Sequence, residues 1–234
     1  MSAPAAPRRG HTGLIGRQSL HREVADYLRG MIIRGDLREG EKIPFTRVAE
    51  ALGVSLTPLR EAVKVLAEER LVELEPNRGA VVKPFTPAEA GELFEVIAAL
   101  ESLAAELAAA RMTDGEIAEL QSMHEAMEKR FAARQKNAYF TLNSQIHAKI
   151  VACARSEELA LTHARLMIRG SRGRYIAIVD PERWAEAMDE HRALMEAFSR
   201  RDADAAARIW KTHLRRSGAT LAEVLRNRKP APAG

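Results

Sequence analysis

The sequence predicts a mainly α-helical protein: three helices and a two-stranded hairpin, followed by an antiparallel bundle of about six helices. Three observations predict it. Leu and Ala are abundant while aromatic residues make up only 5% of the 234 residues, a bias towards helices with small-residue packing. Apolar residues recur at helical spacing through most of the chain. The only β-like runs are the short segments LVELE and AVVKP, separated by PNRG, in which Asn77 and Gly79 supply turn chemistry.

Residues 1–17 are rich in Ala, Pro, Gly and Arg without periodicity and read as a flexible tail. Leu20, Val24, Tyr27/Leu28 and Met31/Ile32 mark the first helix, which Gly35 stops. The polar stretch LREGEKIP reads as a loop. A short helix from Phe45 to Leu52 turns Val48, Ala49 and Leu52 inward and ends at Gly53. Thr57 before Pro58 reads as the start of a third helix, with Val63, Leu66, Ala67 and Leu71 as its buried stripe. With the hairpin, this order is a winged helix-turn-helix pattern over residues 18–85.

From Thr86 the pattern is helical only. Thr86-Pro-Ala-Glu89 and Thr113-Asp-Gly-Glu116 are capping boxes that open helices to about Met112 and Gln135. Further helices are expected over 138–154, 156–179, 180–200 and 202–226, so residues 86–228 read as the bundle.

Composition narrows the function classes. The chain is 46% hydrophobic and 29% charged, and no apolar run approaches the roughly 20 residues of a membrane span. Arg8 and Arg9 are not followed by the apolar stretch of a secretory signal, and the single cysteine, Cys153, excludes an intramolecular disulfide. A cytoplasmic protein is expected. The net charge of +4 and pI of about 9.4 are compatible with nucleic-acid contact without establishing it.

Two constellations carry chemistry. In a helix-turn-helix the second helix of the pair enters the major groove of double-stranded DNA. Here its N-terminal half offers Ser55, Thr57, Arg60 and Lys64. Hydroxyls suit phosphates, and Arg suits bidentate contact with guanine. Arg47 could touch the backbone, and Arg78, at the hairpin tip, a groove or phosphate. The alternative is a set of ordinary solvated charges.

The second constellation is polar residues on greasy faces. Asn143 and His147 lie four apart on one helical face with Phe140 and Ile150. His191 sits among Trp184, Met188, Met195 and Phe198, and His213 among Trp210, Leu214 and Leu221. A lone histidine on such a face is usually a satisfied core residue. Three from different helices are harder to satisfy, and a divalent metal, zinc or nickel, would accept their neutral imidazoles and the Asn143 carbonyl oxygen. Spacing alone leaves their convergence open. His124, His163 and Cys153 read as structural. Arg169, following Thr162 and Leu166 at helical spacing, is the arginine of MIRGSRGRY expected to face inward, ahead of Arg172 and Arg174. Gly170 and Gly173 suggest close packing or a kink.

The stretch GVSLTPLREAVKVLAEERLVELEPNRGAVV, with LREGEKIP, resembles the DNA-binding domain of GntR-type bacterial regulators over about residues 19–85. It departs from the family at Leu56, where an Arg usually reads bases. In FTRVAEAL, Arg47 stands where relatives often carry an acid, and Thr46 where some carry Arg. Residues 86–226 resemble the FCD effector-binding domain of the FadR subgroup, in its shorter, six-helix version. That family's metal pattern is an Asp and a His four apart, a His in an EHRAL-like helix, and a His on the last helix. Asn143, His147, Glu190-His191-Arg192-Ala193-Leu194 and His213 match it, with Asn for Asp.

The resemblance implies a homodimeric regulator, a repressor more often than an activator, that binds a palindromic operator and responds to a small carboxylate at the metal. Ile97 stands where relatives often carry an assisting Arg, a role Arg169 would fill. Two alternatives differ in kind. A mononuclear metal hydrolase would need a general base at the metal, and Glu190, adjoining His191, is expected on another side of its helix. An effector-blind DNA binder would use its histidines structurally.

Overall fold

The structure, a computed structural model, describes residues 13–75 and 79–227. Its packing divides the chain into two units, Met1–Lys83 and Pro84–Gly234.

The first unit contains α1 (Gly13–Arg34), α2 (Phe45–Leu52), α3 (Leu56–Glu68), β1 (Val72–Glu75) and β2 (Gly79–Val82). Helix α1 begins inside the segment expected as tail, so residues 13–17 are helical; residues 1–12 lie outside the described residues. Periodicity marks only the buried stripe, here Val24, Ala25, Leu28 and Ile32, whereas a nucleated helix extends cheaply beyond it. Gly53 closes α2 at φ 64°, a left-handed conformation that glycine adopts without a Cβ penalty.

Helix α3 starts two residues earlier than expected, with Ser55 instead of Thr57 as its cap. Ser55 is in extended conformation, and Thr57 and Pro58 lie within the first turn. Proline is tolerated there because first-turn N–H groups have no partner inside the helix. Leu59, Ala62, Val63 and Leu66 form its buried face. Arg29 of α1 binds Glu69 through two parallel hydrogen bonds of 2.9 and 2.6 Å, tying α1 to the end of α3.

The hairpin is antiparallel, with Val72 opposite Val82 and Glu75 opposite Gly79. Its other edge is not bare. The segment expected as a plain loop lies along β2: the Gly40 N–H donates to Val82 O, the Val82 N–H to Glu41 O and the Ile43 N–H to Ala80 O, each at 2.9 Å. A polar composition concealed a backbone pairing.

The second unit is built, among the described residues, of α4 (Pro87–Arg111), α5 (Asp114–Ala132), α6 (Lys136–Cys153), α7 (Glu157–Ala177), α8 (Pro181–Ser199) and α9 (Ala203–Asn227). Both capping boxes form, with the Glu89 and Glu116 N–H groups donating to Thr86 and Thr113 Oγ and the two carboxylates accepting in return. Helix α4 packs against α6, α7 and α9; α5 packs against α6 and α8; α8 packs against α9.

Glycines set the closest approaches. A Cβ on Gly170 would lie 2.6 Å from Ile97 Cδ1, one on Gly173 would lie 2.5 Å from Phe94 Cε2, and one on Gly218 would lie 2.5 Å from Phe94 Cβ. Close packing against α4 therefore accounts for the glycines of α7. It also accounts for Ile97, which is fully buried as an apolar contact. Cys153 is buried in the same core.

Candidate functional site

Helix α6 turns Asn143 and His147 into the bundle, α8 contributes His191 and α9 contributes His213; all four are buried. One ligand nitrogen from each histidine lies within 4.8 Å of the others. Ring centroids are 5.0 Å apart for His191 and His213, 5.5 Å for His147 and His213, and 5.7 Å for His147 and His191. Trp210 backs the cluster, stacked on His213 at 4.6 Å.

Two carboxylates orient the imidazoles. Glu101 of α4, fully buried, accepts a hydrogen bond from His147 Nδ1 and meets His163 Nε2 at 2.8 Å with its other oxygen. Glu190 Oε2 lies 2.7 Å from His213 Nδ1. At His147 and His213 the contact occupies Nδ1 and turns Nε2 towards the cluster, the arrangement common behind metal-bound histidines. Sequence reasoning missed Glu101, although it lies at helical spacing from the buried Phe94, Ile97, Ala104 and Ala108. It also gave Glu190 no role at the histidines, expecting it on a different side of α8 from His191; α9 packs there and brings His213 to the carboxylate.

The electrostatics favour neutral imidazoles. Burial, reinforced by Arg174, pushes the His147 pKa down to about 3, and burial lowers His191 and His213 as well. Burial alone would raise the Glu101 and Glu190 carboxyls. The neighbouring His147 and His163 outweigh it at Glu101, and His213 and Arg183 outweigh it at Glu190, which is held at about 2.

Several buried polar atoms here have no hydrogen-bond partner: His147 Nε2, both nitrogens of His191, and Asn143 Oδ1. Such atoms ordinarily cost about 1–3 kcal/mol each when unsatisfied. Three imidazole nitrogens and one amide oxygen form a donor set that fits a divalent ion of the zinc or nickel type.

A narrow enclosed cavity adjoins the cluster. Asn143 and His213 line it together with Arg174, Arg183, Tyr139 and Ser217. Arg169 does not reach it: its guanidinium lies over the Phe85 ring at 5.4 Å and pairs with Glu89 at 3.6 Å. The buried stripe of α7 runs through His163, Met167, Gly170, Arg174 and Ala177, and Arg169 lies about 140° around the helix from Arg174. The i, i+4, i+7, i+11 spacing from His163 was the signal that could have selected Arg174. His124 stacks on His191 at 6.1 Å.

In the first unit, Arg47, Ser55, Thr57, Arg60 and Lys64 are all exposed. Lys64 pairs with Glu61 at 2.8 Å. Leu56 is 42% exposed at the head of α3, between the two hydroxyl residues. Arg78 lies outside the described residues.

Comparisons with known proteins follow the same division. The FCD domain family matches residues 92–216, and the bacterial regulatory proteins of the gntR family match residues 20–82. The HTH-type transcriptional regulator YdhC of Bacillus subtilis is 26% identical over 205 residues, covering 86% of this chain and 91% of that protein. The HTH-type transcriptional repressor GlaR of Escherichia coli is 26% identical over 196 residues, covering 80% and 89%. The solved structure of E. coli McbR/YncC shares the fold, with a TM-score of 0.77 at 21% identity, covering 88% of this chain and 98% of that one. Among the described residues no helix is long and apolar enough to cross a membrane. The chain belongs to the GntR family, with an FCD domain following its helix-turn-helix, and is a DNA-binding transcription regulator rather than an enzyme.

Proposed function

We propose that this regulator is a cytoplasmic repressor whose grip on a palindromic operator responds to a small carboxylate held at a divalent metal, zinc or nickel. The carrying observation is the buried triad of His147, His191 and His213, whose ligand nitrogens lie within 4.8 Å while Asn143 Oδ1 beside them lacks a partner. Asn143 and the three histidines would hold the ion. The ion would supply a concentrated positive charge with open positions for a carboxylate oxygen. An amide in place of a carboxylate ligand leaves that charge undiminished and so favours an anion.

On the DNA side, Ser55 and Thr57 suit phosphate contact at the head of α3, Arg60 suits a guanine, and Lys64 a phosphate. Arg47 on α2 and Arg78 at the hairpin tip would extend the backbone contacts. Repression is the sign carried by the name of the similar GlaR. A homodimer is supported by α4, which exposes Val96 and Leu103 in line with the half-buried Leu100 and Leu107, a seam at 4-3-4 spacing. An effector alters operator affinity to the extent that it binds one arrangement of the dimer better than another.

The test is metal content of untagged protein purified without chelator, beside His147→Ala and His191→Ala, followed by operator binding with and without metal and small carboxylates. About one ion per chain, lost in folded variants, and a carboxylate-dependent change in operator binding are expected. No ion after incubation with zinc, nickel or manganese would overturn the metal reading. Operator binding indifferent to metal and carboxylates would identify an effector-blind binder.

A further inference from the structure

Two buried arginines face the cavity beside the histidine cluster, and neither is fully used. Arg174 makes no hydrogen bond through Nε or Nη1. Arg183 donates through Nη2 to Glu190 at 2.7 Å, to the His213 carbonyl at 3.0 Å and to Ser217 Oγ at 3.2 Å. Its Nε and Nη1 make none, although Glu186 lies 3.6 Å from Nη1. Guanidinium groups are among the least tolerable groups to bury with idle donors, because they stay charged and offer a rigid fork of N–H groups. They reach the same cavity as Asn143 and His213, on different helices, α7 and α8.

Charge balance points the same way. Arg174 and Arg183 offset the buried carboxylates Glu101 and Glu190. The neutral imidazoles and the Asn143 amide leave an ion with two positive charges uncompensated. A ligand with one carboxylate would cover half of that charge and leave the arginine forks idle. A carboxylate accepts two parallel N–H bonds from one guanidinium.

We propose that the effector is a short dianion with a carboxylate at each end: one end meets the metal, and the other is clamped by Arg174 and Arg183. This specificity rests on the metal-site reading above, but the arginine clamp is a separate element of it. The cavity is narrow, with about 10 Å3 of free space, room for about one water, so a chain of a few carbons enters only as the side chains lining it move apart.

The experiment is calorimetric titration of the metal-loaded full chain with two pairs of equal-length acids, succinate against butyrate and malonate against propionate, with inorganic phosphate as a single-centred anion. The dicarboxylate of at least one pair is expected to bind at least tenfold more tightly than its monocarboxylate. In Arg174→Met that ratio should fall to about one with metal stoichiometry retained; the thermal midpoint should drop, because Glu101 loses a compensating charge, and circular dichroism confirms that the variant is folded at the titration temperature. Arg183→Met should reduce the ratio too, and circular dichroism reports its folding independently. Equal binding within both pairs in a metal-loaded wild type would overturn the dianion and leave the metal site standing. A dicarboxylate preference in protein that takes up no metal would do the reverse, sinking the metal reading and keeping the clamp. Phosphate binding as tightly as either dicarboxylate would overturn the two-ended ligand, and so would absence of heat with every probe.

Discussion

Glu190 Oε2 lies 2.7 Å from His213 Nδ1, so the residue beside one histidine of the cluster in sequence is the partner of another. The same carboxylate is held by Arg183 at 2.7 Å and Arg216 at 3.0 Å. It fixes the His213 tautomer, leaving Nε2 with the lone pair that a metal needs. Glu190→Gln should therefore weaken metal affinity by about 10- to 100-fold, the usual consequence of losing such a partner. Competition against a chromophoric chelator measures it. Unchanged affinity would reduce Glu190 to an anchor for the two arginines.

The division between legible and hidden features follows from what periodicity reports. The six bundle helices were legible because capping boxes and apolar stripes are local, and so was the convergence candidate, since Asn143, His147, His191 and His213 each break an apolar stripe. Glu101 and Arg174 were hidden although they occupy equally buried positions. A charged residue among alanines reads as a solvated face unless its partner is known, and the partners His147 and His163 lie 46 and 62 positions away. Helix ends were blurred for another reason. Arg70, Arg134, Arg155 and Arg201 take the left-handed conformation that glycine usually signals. Two of them are held by distant groups: Arg201 donates to the Met112 carbonyl and Asp114, and Arg155 to the Arg111 carbonyl and Glu116.

The exposure of Leu56 bears on operator choice. A leucine 42% exposed on a surface of hydroxyls and arginines has no packing role that requires it. Facing a groove, it can meet a thymine methyl but cannot donate to guanine. Leu56→Arg should shift the preferred site in a random-sequence selection, adding preference for guanine at one position of each half-site. The discrimination gained at that position should be about 1–3 kcal/mol, as for a bidentate base contact. An unchanged preference would place Leu56 off the DNA.

The glycines of the bundle divide by what surrounds them. A methyl group at Gly173 would press on Phe94 and Leu221, at 2.5 and 2.6 Å. Gly91, in the same bundle, has nothing within 4 Å of the corresponding position. Gly173→Ala should destabilise by about 1–3 kcal/mol through overpacking, despite the better helix propensity of alanine. Gly91→Ala should stabilise by up to about 1 kcal/mol. Paired thermal melts read the opposite signs, and a stabilising Gly173→Ala would disprove the close approach of α7 to α4.

Exposed apolar seams on helices commonly mark association. Val96 and Leu103 are 50% and 43% exposed, and with Leu100 and Leu107 they run along one side of α4. Leu103→Glu should shift sedimentation from dimer to monomer and weaken operator binding at least tenfold, since two half-sites would no longer be bound together. Metal content should not change, because all four proposed ligands come from one chain. A variant that remains dimeric would assign the interface to another face.

Acid sensitivity should have a traceable component at the start of α5. The Thr113 backbone N–H, then Arg155, hold the Glu116 carboxyl at about 2, against an ordinary value of 4.5. A carboxylate whose pKa is depressed by folding contributes stability that is present above its unfolded pKa and lost as pH falls through the folded value. The window is therefore from about pH 4.5 down to about pH 2. Glu116→Gln retains a side chain able to complete the capping box while removing the charge that Arg155 meets. The variant should be less stable than wild type at pH 7 and converge with it near pH 2. Denaturant titrations followed by circular dichroism across that range test this. A difference independent of pH would show that the hydrogen bonds of the box, rather than the ionised carboxylate, carry the contribution.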